Sequence, residues 1–221
     1  RDQPRSRGLG DVYKRQQLQG IVSVKDFFYE NGTGYIVMEY INGVDLKHYL
    51  KGMGGKLDEA TVLALMKPVF ESLYEVHKNG LVHRDISPDN IMVDNEGKIK
   101  LIDFGSVRGQ SAETDKTYTV ILKHGYAPPE QYYAKGKQGP WTDIYSLCAT
   151  MYKMLTGEVP PNGVERMEED TYVDPSKKGI SVSERTEAVL RKGLAVKAPE
   201  RYQDIGPVSY THLRAHETEA D

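Results

Sequence analysis

Three side chains with oxygen atoms suited to phosphate chemistry, Asp85, Asn90 and Asp103, lie close together in the sequence. Asp85 and Asn90 belong to the stretch HRDISPDN, and Asp103 ends the run KIKLID. Mg²⁺ prefers hard oxygen ligands, so Asn90 and Asp103 are suited to hold a metal ion that neutralises phosphate charge. A carboxylate such as Asp85 can orient an attacking hydroxyl and accept its proton. This set of residues therefore indicates phosphoryl transfer.

The two residues after Asp103 complete a second short motif. Phe104 is apolar and can pin the following loop to the core, and Gly105 permits a sharp turn beside a metal ion. Either triplet alone, HRD or DFG, arises often by chance, and its polar residues then only cap turns or end a strand. Both together, in this order and separated by two short strands, form a specific signal.

This pair of motifs resembles the catalytic loop and the metal-binding loop of bacterial (Hanks-type) serine/threonine protein kinases. The resemblance implies an α+β, protein-kinase-like fold: a mostly helical C-terminal lobe with a partial β N-terminal lobe. It also implies transfer of the γ-phosphate of ATP, with Mg²⁺ or Mn²⁺, to Ser or Thr of protein substrates. Asp85 takes the catalytic role, while His83 and Arg84 are structural or regulatory residues.

Further matches to this family continue along the chain. The stretch GYAPPEQ, at 125–131, resembles the end of the activation segment, and the resemblance pairs Glu130 with Arg201 in a bidentate, partly buried ion pair. Asp143 resembles the aspartate that holds the backbone of the catalytic loop. Cys148 stands where glycine is common, and as a small apolar residue it is expected to serve packing rather than redox chemistry.

The run YIVMEY resembles a strand and the hinge that follows it in the family. The resemblance assigns adenine binding to backbone groups of Glu39 and Tyr40. Met38 is then the gatekeeper residue behind the base, and it can also simply fill the core, since the two roles are compatible.

Two positions depart from the family pattern. Ser87 stands where a lysine follows the catalytic aspartate in serine/threonine kinases, and Lys123 stands where a threonine is usual. We expect the two to have exchanged roles, so that Lys123 supplies a cation to the γ-phosphate and Ser87 a hydroxyl to Asp85. The alternative is that Ser87 reflects loss of function and Lys123 is a solvent-facing charge.

A long stretch without periodicity, 105–126, contains hydroxyl side chains. Such loops are commonly functional, and the resemblance makes Thr114, Thr117 and Thr119 candidate phosphorylation sites with Arg84 as the partner of the phosphate.

Two other functions remain open at the level of sequence. The first is a pseudokinase that binds partners without turnover, although the presence of all three polar residues, Asp85, Asn90 and Asp103, disfavours it. The second is a small-molecule phosphotransferase, which the 125–131 stretch disfavours. We find no glycine-rich loop, strand lysine or helix glutamate, so this fragment is expected to bind ATP weakly and to be inactive by itself.

The elements that position these residues follow from periodicity and turn residues. We predict a hairpin from IVSVKDFFYE and YIVMEY around a turn at 31–34, and then a short helix in VDLKHYLK. A longer helix is predicted after an N-cap at Asp58, with a kink or a loosened turn at Pro68 and an end at Asn79–Gly80. Further predictions are strands in LVH, IMVD and KIKLID, and helices at 141–155 and 184–193.

The two ends are predicted to be artefacts. One short DNA sequence can encode both ends: one strand gives SRGLGDVYKRQ (6–16), and the complementary strand gives VSYTHLRAHE (208–217). This DNA sequence resembles a transposase adapter used in the preparation of sequencing libraries. Such segments are therefore not expected to belong to the fold. The expected organisation is an artefact at 1–16, a remnant of the N-terminal lobe at 17–40, a C-terminal lobe at 41–206, and a second artefact at 207–221.

The composition limits the classes of partner and the cellular location that we expect for this protein. The 221 residues carry a net charge of −3, so no basic field favours nucleic acid, and one cysteine excludes a disulfide framework. No apolar run approaches the roughly 20 residues that a membrane span needs. We expect a cytoplasmic domain that acts on protein substrates, with no membrane anchor visible in this fragment.

Overall fold

The computed structural model describes residues 18–103, 108–109, 122–133, 135–206 and 208. The predicted adapter-derived ends lie outside the described residues, apart from Val208. Phe104 and Gly105 and the candidate phosphorylation sites Thr114, Thr117 and Thr119 also lie outside them.

The described part of the chain contains seven short strands and four α-helices. The strands are β1 (Val24–Glu30), β2 (Thr33–Met38), β3 (Gly43–Asp45), β4 (Leu81–Val82), β5 (Ile91–Asp94), β6 (Ile99–Leu101) and β7 (Arg108–Gly109). The α-helices are α1 (Leu46–Gly52), α2 (Glu59–Lys78), α3 (Pro140–Thr156) and α4 (Glu184–Gly193). Strands β1 and β2 pair with each other, β3, β5 and β6 form a three-stranded sheet, and β4 pairs with β7.

The hairpin of β1 and β2 has a tighter turn than the sequence predicted. The predicted four-residue turn at 31–34 was wrong, because Glu30 pairs with Thr33 and only Asn31 and Gly32 lie between the strands. Both turn residues have positive φ, 50° and 72°, as a two-residue turn that matches the twist of the strands requires.

The stretch after the hairpin begins with a short strand and continues as a helix. We predicted a helix from Val44, but 43–45 pairs antiparallel with β5, and α1 begins only at Leu46. The side chain of Asp45 accepts the backbone N–H of His48 and caps the helix. At Gly43 a β-carbon would lie 2.0 Å from the carbonyl oxygen of Val93, so only glycine permits this pairing.

The predicted helices are present with small changes at their ends. Asp58 caps α2 as predicted, and α2 continues across Pro68 to the C-cap Asn79. Helix α4 spans the predicted 184–193, and α3 extends one residue beyond the prediction at each end. These helices form because apolar residues recur at helical spacing between clear capping residues.

A single hydrophobic core joins α2, α3 and α4 to the sheet of β3, β5 and β6. Ile21 and Val22 belong to this core, and the Val22 N–H donates to the Leu101 carbonyl of β6. Val208, which the sequence assigned to the terminal artefact, is also buried in the core. The described residues thus have the predicted α+β organisation with a mostly helical body. None of the described helices combines the length and apolarity that crossing a membrane requires.

Candidate active site

The loop that carries Asp85 and Asn90, loop 83–90, lies between β4 and β5 in the sequence and is held by Asp143 of α3. The Asp143 carboxylate accepts the backbone N–H groups of His83 and Arg84, each at 2.8 Å. It also lies 2.8 Å from Nε2 of His77 on α2. Burial alone would raise the pKa of Asp143, but these hydrogen bonds and the neighbouring histidines hold it below its usual value.

His83 is a buried, neutral connector rather than an acid or base. Its Nδ1 accepts the backbone N–H of Asp85 at 3.3 Å, and its Nε2 lies 3.2 Å from the carbonyl oxygen of Ile102. Since Nδ1 accepts, the ring proton is on Nε2 and donates to Ile102. Burial lowers the pKa of His83, against the opposing effect of nearby carboxylates such as Asp143, and so favours this neutral form.

The same connections bring Asp103 to the loop. The Ile102 N–H donates to the carbonyl oxygen of Asn90 at 2.8 Å, while the Ile102 carbonyl accepts from His83. Asp103 follows directly and has an exposed side chain. The Asn90 side-chain amide donates to the Asp85 carbonyl at 2.8 Å, so its nitrogen is used and its oxygen remains the ligand atom.

Two residues of the site have a backbone conformation that is unusual outside glycine. The φ angles of Arg84 and Asp103 are 71° and 63°. A left-handed non-glycine residue costs about 1–3 kcal/mol and persists where its surroundings determine it, often at functional sites. At Arg84 those surroundings are Asp143, which accepts its N–H, and Gln131, whose side chain donates to its carbonyl at 2.8 Å.

Lys123 meets both Asp85 and Ser87. Its Nζ donates to Ser87 Oγ at 2.8 Å and lies 3.2 Å from Asp85 Oδ1. Ser87 is fully buried, whereas the side chains of Lys123 and Asp85 are about a quarter exposed. Lys123 therefore adjoins both Asp85 and Ser87, and its ammonium group is not a solvent-facing charge. The predicted hydrogen bond from the Ser87 hydroxyl to Asp85 is not present between these two described residues, because Ser87 Oγ accepts from Lys123 instead.

The segment that carries Lys123, segment 122–131, is attached to the helical body by the predicted ion pair. Arg201 donates to both oxygens of Glu130, at 2.7 and 3.1 Å, and its side chain is fully buried. Arg201 also donates to the carbonyls of Ala195 and Val196, and Thr142 donates to Glu130 Oε1 at 3.0 Å. The pair is present and bidentate, with its remaining hydrogen-bonding capacity met by neighbours.

The three residues predicted to contact adenine lie at the end of β2 and just beyond it. Met38 is 41% exposed and Tyr40 is 87% exposed, so the core-filling role suggested for Met38 was wrong. Glu39 is fixed from two sides: its carboxylate accepts the Ser23 N–H at 2.8 Å and Lys100 Nζ at 2.5 Å. The hinge is thereby tied to β6, two residues before Ile102.

Cys148 lies at the centre of α3 and is fully buried. Burial raises the pKa of its thiol to about 12, so the reactive thiolate is suppressed at neutral pH. A β-carbon on Gly193 of α4 would lie 2.3 Å from its sulfur atom, which shows how closely the two helices pack there. These observations support the predicted packing role.

The donor set of the site fits a metal ion that is shared with a phosphate ligand. Within the described ranges, no group of three or more His, Cys, Asp or Glu side chains is arranged to hold a metal ion. Mg²⁺ in phosphoryl-transfer sites is commonly held by one or two protein oxygens together with substrate phosphates. One amide oxygen from Asn90 and one carboxylate from Asp103 match that requirement.

Three positioning residues received no role from the sequence. His77 contacts Asp143, Gln131 contacts Arg84, and Thr142 contacts Glu130. A signal for His77 was available, because it follows Leu73 by four residues on the buried face of α2 and is polar. The other two contacts join residues whose spacing in the sequence carries no such signal.

Comparisons with known proteins agree on one family. The protein kinase domain family matches residues 11–203. The serine/threonine-protein kinase PrkC of Bacillus subtilis is 34% identical over 194 residues, which cover 83% of this chain and 29% of that protein. The kinase PknB of Mycolicibacterium smegmatis is 33% identical over 198 residues, covering 84% of this chain and 31% of that protein.

A solved structure gives the same result in three dimensions. The structure titled PpkA-294 apo form superposes with a TM-score of 0.77 at 33% identity, covering 93% of this chain and 72% of that chain. This chain spans less than a third of the length of the two kinases named above.

Proposed function

Because this chain belongs to the protein kinase domain family, we propose that the protein containing it transfers the γ-phosphate of ATP to Ser or Thr side chains of other proteins. The observation that carries this proposal is the pair of hydrogen bonds at Ile102, which brings the Asp103 strand end to the loop of Asp85 and Asn90. An aspartate that can accept a proton and two ligands that can hold a metal ion then lie in one site.

The proposed reaction assigns each of these groups a task. The hydroxyl oxygen of the acceptor attacks the γ-phosphorus, its proton passes to Asp85, and the bond to the bridging oxygen breaks as ADP leaves. Asn90 and Asp103 would hold Mg²⁺, or Mn²⁺, which neutralises phosphate charge when bound. Backbone groups of Glu39 and Tyr40 would orient the adenine.

The fixed geometry of loop 83–90 supports catalysis through positioning. Asp143 and Gln131 hold the strained Arg84 backbone, and the His83 side chain accepts the N–H of Asp85. These hydrogen bonds restrict the backbone conformation at Asp85 and so fix the position of its carboxylate. A preorganised base has less reorganisation to undergo when substrate arrives, which lowers the barrier of the reaction.

The test replaces the proposed base in the complete protein that contains this chain. Asp85→Asn keeps the size of the side chain and removes its basicity, and it should lower kcat for radiolabelled phosphate transfer to casein by about 10²–10⁴-fold. Asp89→Asn is the matched control: it makes the same change four residues away, at an exposed side chain paired with Lys47, and should leave kcat within about three-fold.

Identification of the labelled product tests the substrate class. Label should appear in phosphoserine or phosphothreonine, and not in small alcohols or aminoglycosides offered as competitors. If Asp85→Asn kept most of its activity, or if label entered only small molecules, the proposed function would be wrong.

A further inference from the structure

We propose that Lys123 is the cation that stabilises the transferred phosphoryl group, and that its place on segment 122–131 makes catalysis depend on docking of that segment. This inference rests on the proposed function and adds a residue and a means of control to it. The usual alternative for a lysine beside an aspartate is a simple ion pair that neutralises the carboxylate.

The first support is the position of the ammonium group. Lys123 Nζ lies 3.2 Å from Asp85 Oδ1, so a phosphate whose acceptor hydroxyl reaches Asp85 also comes within reach of Lys123. Ser87 Oγ accepts one ammonium proton at 2.8 Å from a fully buried position. An ammonium has three protons, so two N–H groups remain for Asp85 and a phosphate oxygen.

The second support is the chemistry of the step. As the acceptor oxygen bonds to phosphorus and the bridging oxygen leaves with ADP, negative charge spreads over the three equatorial oxygens of the phosphoryl group. A cation fixed at that point is more effective in the reacting state than in the ground state, and it therefore raises kcat. Lys123 donates a hydrogen bond to an equatorial oxygen of the phosphoryl group, while the proton of the acceptor hydroxyl passes to Asp85.

The third support is the way in which the Lys123 backbone is held. Its carbonyl accepts the N–H groups of Tyr126 and Ala127, both at 3.0 Å. The Tyr126 carbonyl in turn accepts from Ser146 Oγ of α3 at 2.9 Å. Lys123 thus occupies a tight turn whose backbone is attached to α3 of the helical body.

The contacts that attach this turn also determine where the ammonium group lies. Gln131 joins segment 122–131 to the Arg84 carbonyl, and Glu130 joins it to the buried Arg201. A lysine on loop 83–90 itself would stay beside Asp85 whatever the segment did. Here the cation reaches Asp85 only while segment 122–131 is docked, so docking and catalytic competence are coupled.

The experiment uses the complete protein and four variants. Lys123→Met should lower kcat by at least about 100-fold, with the KM for ATP changed by only a few-fold. Lys135→Met, which removes an exposed lysine of the neighbouring loop, is the control and should retain full activity. The paired change Ser87→Lys with Lys123→Thr, which moves the cation to loop 83–90, should restore kcat to within about ten-fold, whereas Ser87→Lys alone should not improve on wild type.

Thermal melting of each variant separates loss of catalysis from loss of fold, and the paired change remains informative if Lys123→Met is unstable. Activity of Lys123→Met above a third of wild type, with Asp85→Asn inactive, would overturn this inference and leave the proposed function intact. Full activity of Asp85→Asn would overturn both.

The coupling has its own readout. Glu130→Gln should lower kcat in the wild-type protein and also in the protein with Ser87→Lys and Lys123→Thr. The fold-loss in the wild-type protein should be about ten times larger, because only the wild-type protein carries its cation on segment 122–131. Equal factors in the two backgrounds would refute the dependence on docking.

Discussion

At the scale of single residues, buried charges organise this site through the donors that surround them. Asp143 is fully buried, accepts hydrogen bonds from two backbone N–H groups and lies 2.8 Å from Nε2 of His77. Burying a carboxylate is costly unless it is hydrogen-bonded, so Asp143 stabilises the one conformation of loop 83–90 that provides these donors. Arg201 plays the equivalent part for segment 122–131.

The ion pair of Glu130 and Arg201 gives a prediction for stability. Glu130→Gln leaves the fully buried guanidinium of Arg201 without its opposite charge, and should lower the free energy of unfolding by about 3 kcal/mol. Glu200→Gln removes the same kind of charge from an exposed pair with Lys197 and should cost less than about 1 kcal/mol. Urea unfolding of the chain measures both changes, and equal losses would contradict the assigned role of burial.

At the scale of elements, α3 is the support on which the site is built. Nearly all of its residues are buried, and it supplies Asp143 to loop 83–90, Ser146 to segment 122–131 and Thr142 to Glu130. Its C-terminal end is set by Gly157, which has a φ of 78°. A helix so enclosed holds its side chains in place because its packing allows little displacement.

The end of α3 provides a prediction with an internal control. Gly157→Ala places a β-carbon on a left-handed residue and should cost about 1 kcal/mol of stability. Gly52→Ala, at a helical position of α1 with open space around it, should instead stabilise the chain by about 0.5–1 kcal/mol. The two midpoints of urea unfolding should shift in opposite directions, and a shift in the same direction would contradict this account of Gly157.

At the scale of the whole molecule, the hairpin and the helical body differ in how they are supported. The buried core joins the three long helices to the central sheet, but contains no residue of β1 or β2. Both strands of the hairpin are largely exposed, including Phe28 and Ile36, at 42% and 49%. An isolated two-stranded hairpin is only marginally stable, and an exposed apolar strand edge favours self-association.

Hydrogen exchange of the chain should therefore show two classes of amide. The amides of β1 and β2 should exchange through local opening, at least about 100-fold faster than those of α2 and α3, which open only with global unfolding. Mass spectrometry of peptic fragments at dilute concentration measures the difference. Protection of the hairpin equal to that of α3 would show that it belongs to the same cooperative unit.

The sequence alone determined the features that depend on neighbouring residues. The HRD and DFG triplets, the N-cap at Asp58 and the limits of α4 follow from patterns within a few positions. Two of its predictions of local structure were wrong. The turn after Glu30 is shorter than predicted because the adjacent strands β1 and β2 pair as far as Glu30 and Thr33. Val44 is in a strand because pairing with the distant β5 outweighed the helical preference of the local sequence.

The tertiary structure decided which distant groups meet. Lys123 and Ser87 are 36 residues apart in sequence, and Glu130 and Arg201 are 71 apart. Their pairing was expected only from family resemblance, and their distances, burial and remaining hydrogen bonds depend on the path of the whole chain. The contacts of His77, Gln131 and Thr142 appear for the same reason, since a hydrogen bond requires two groups to meet in space and the sequence records only their order.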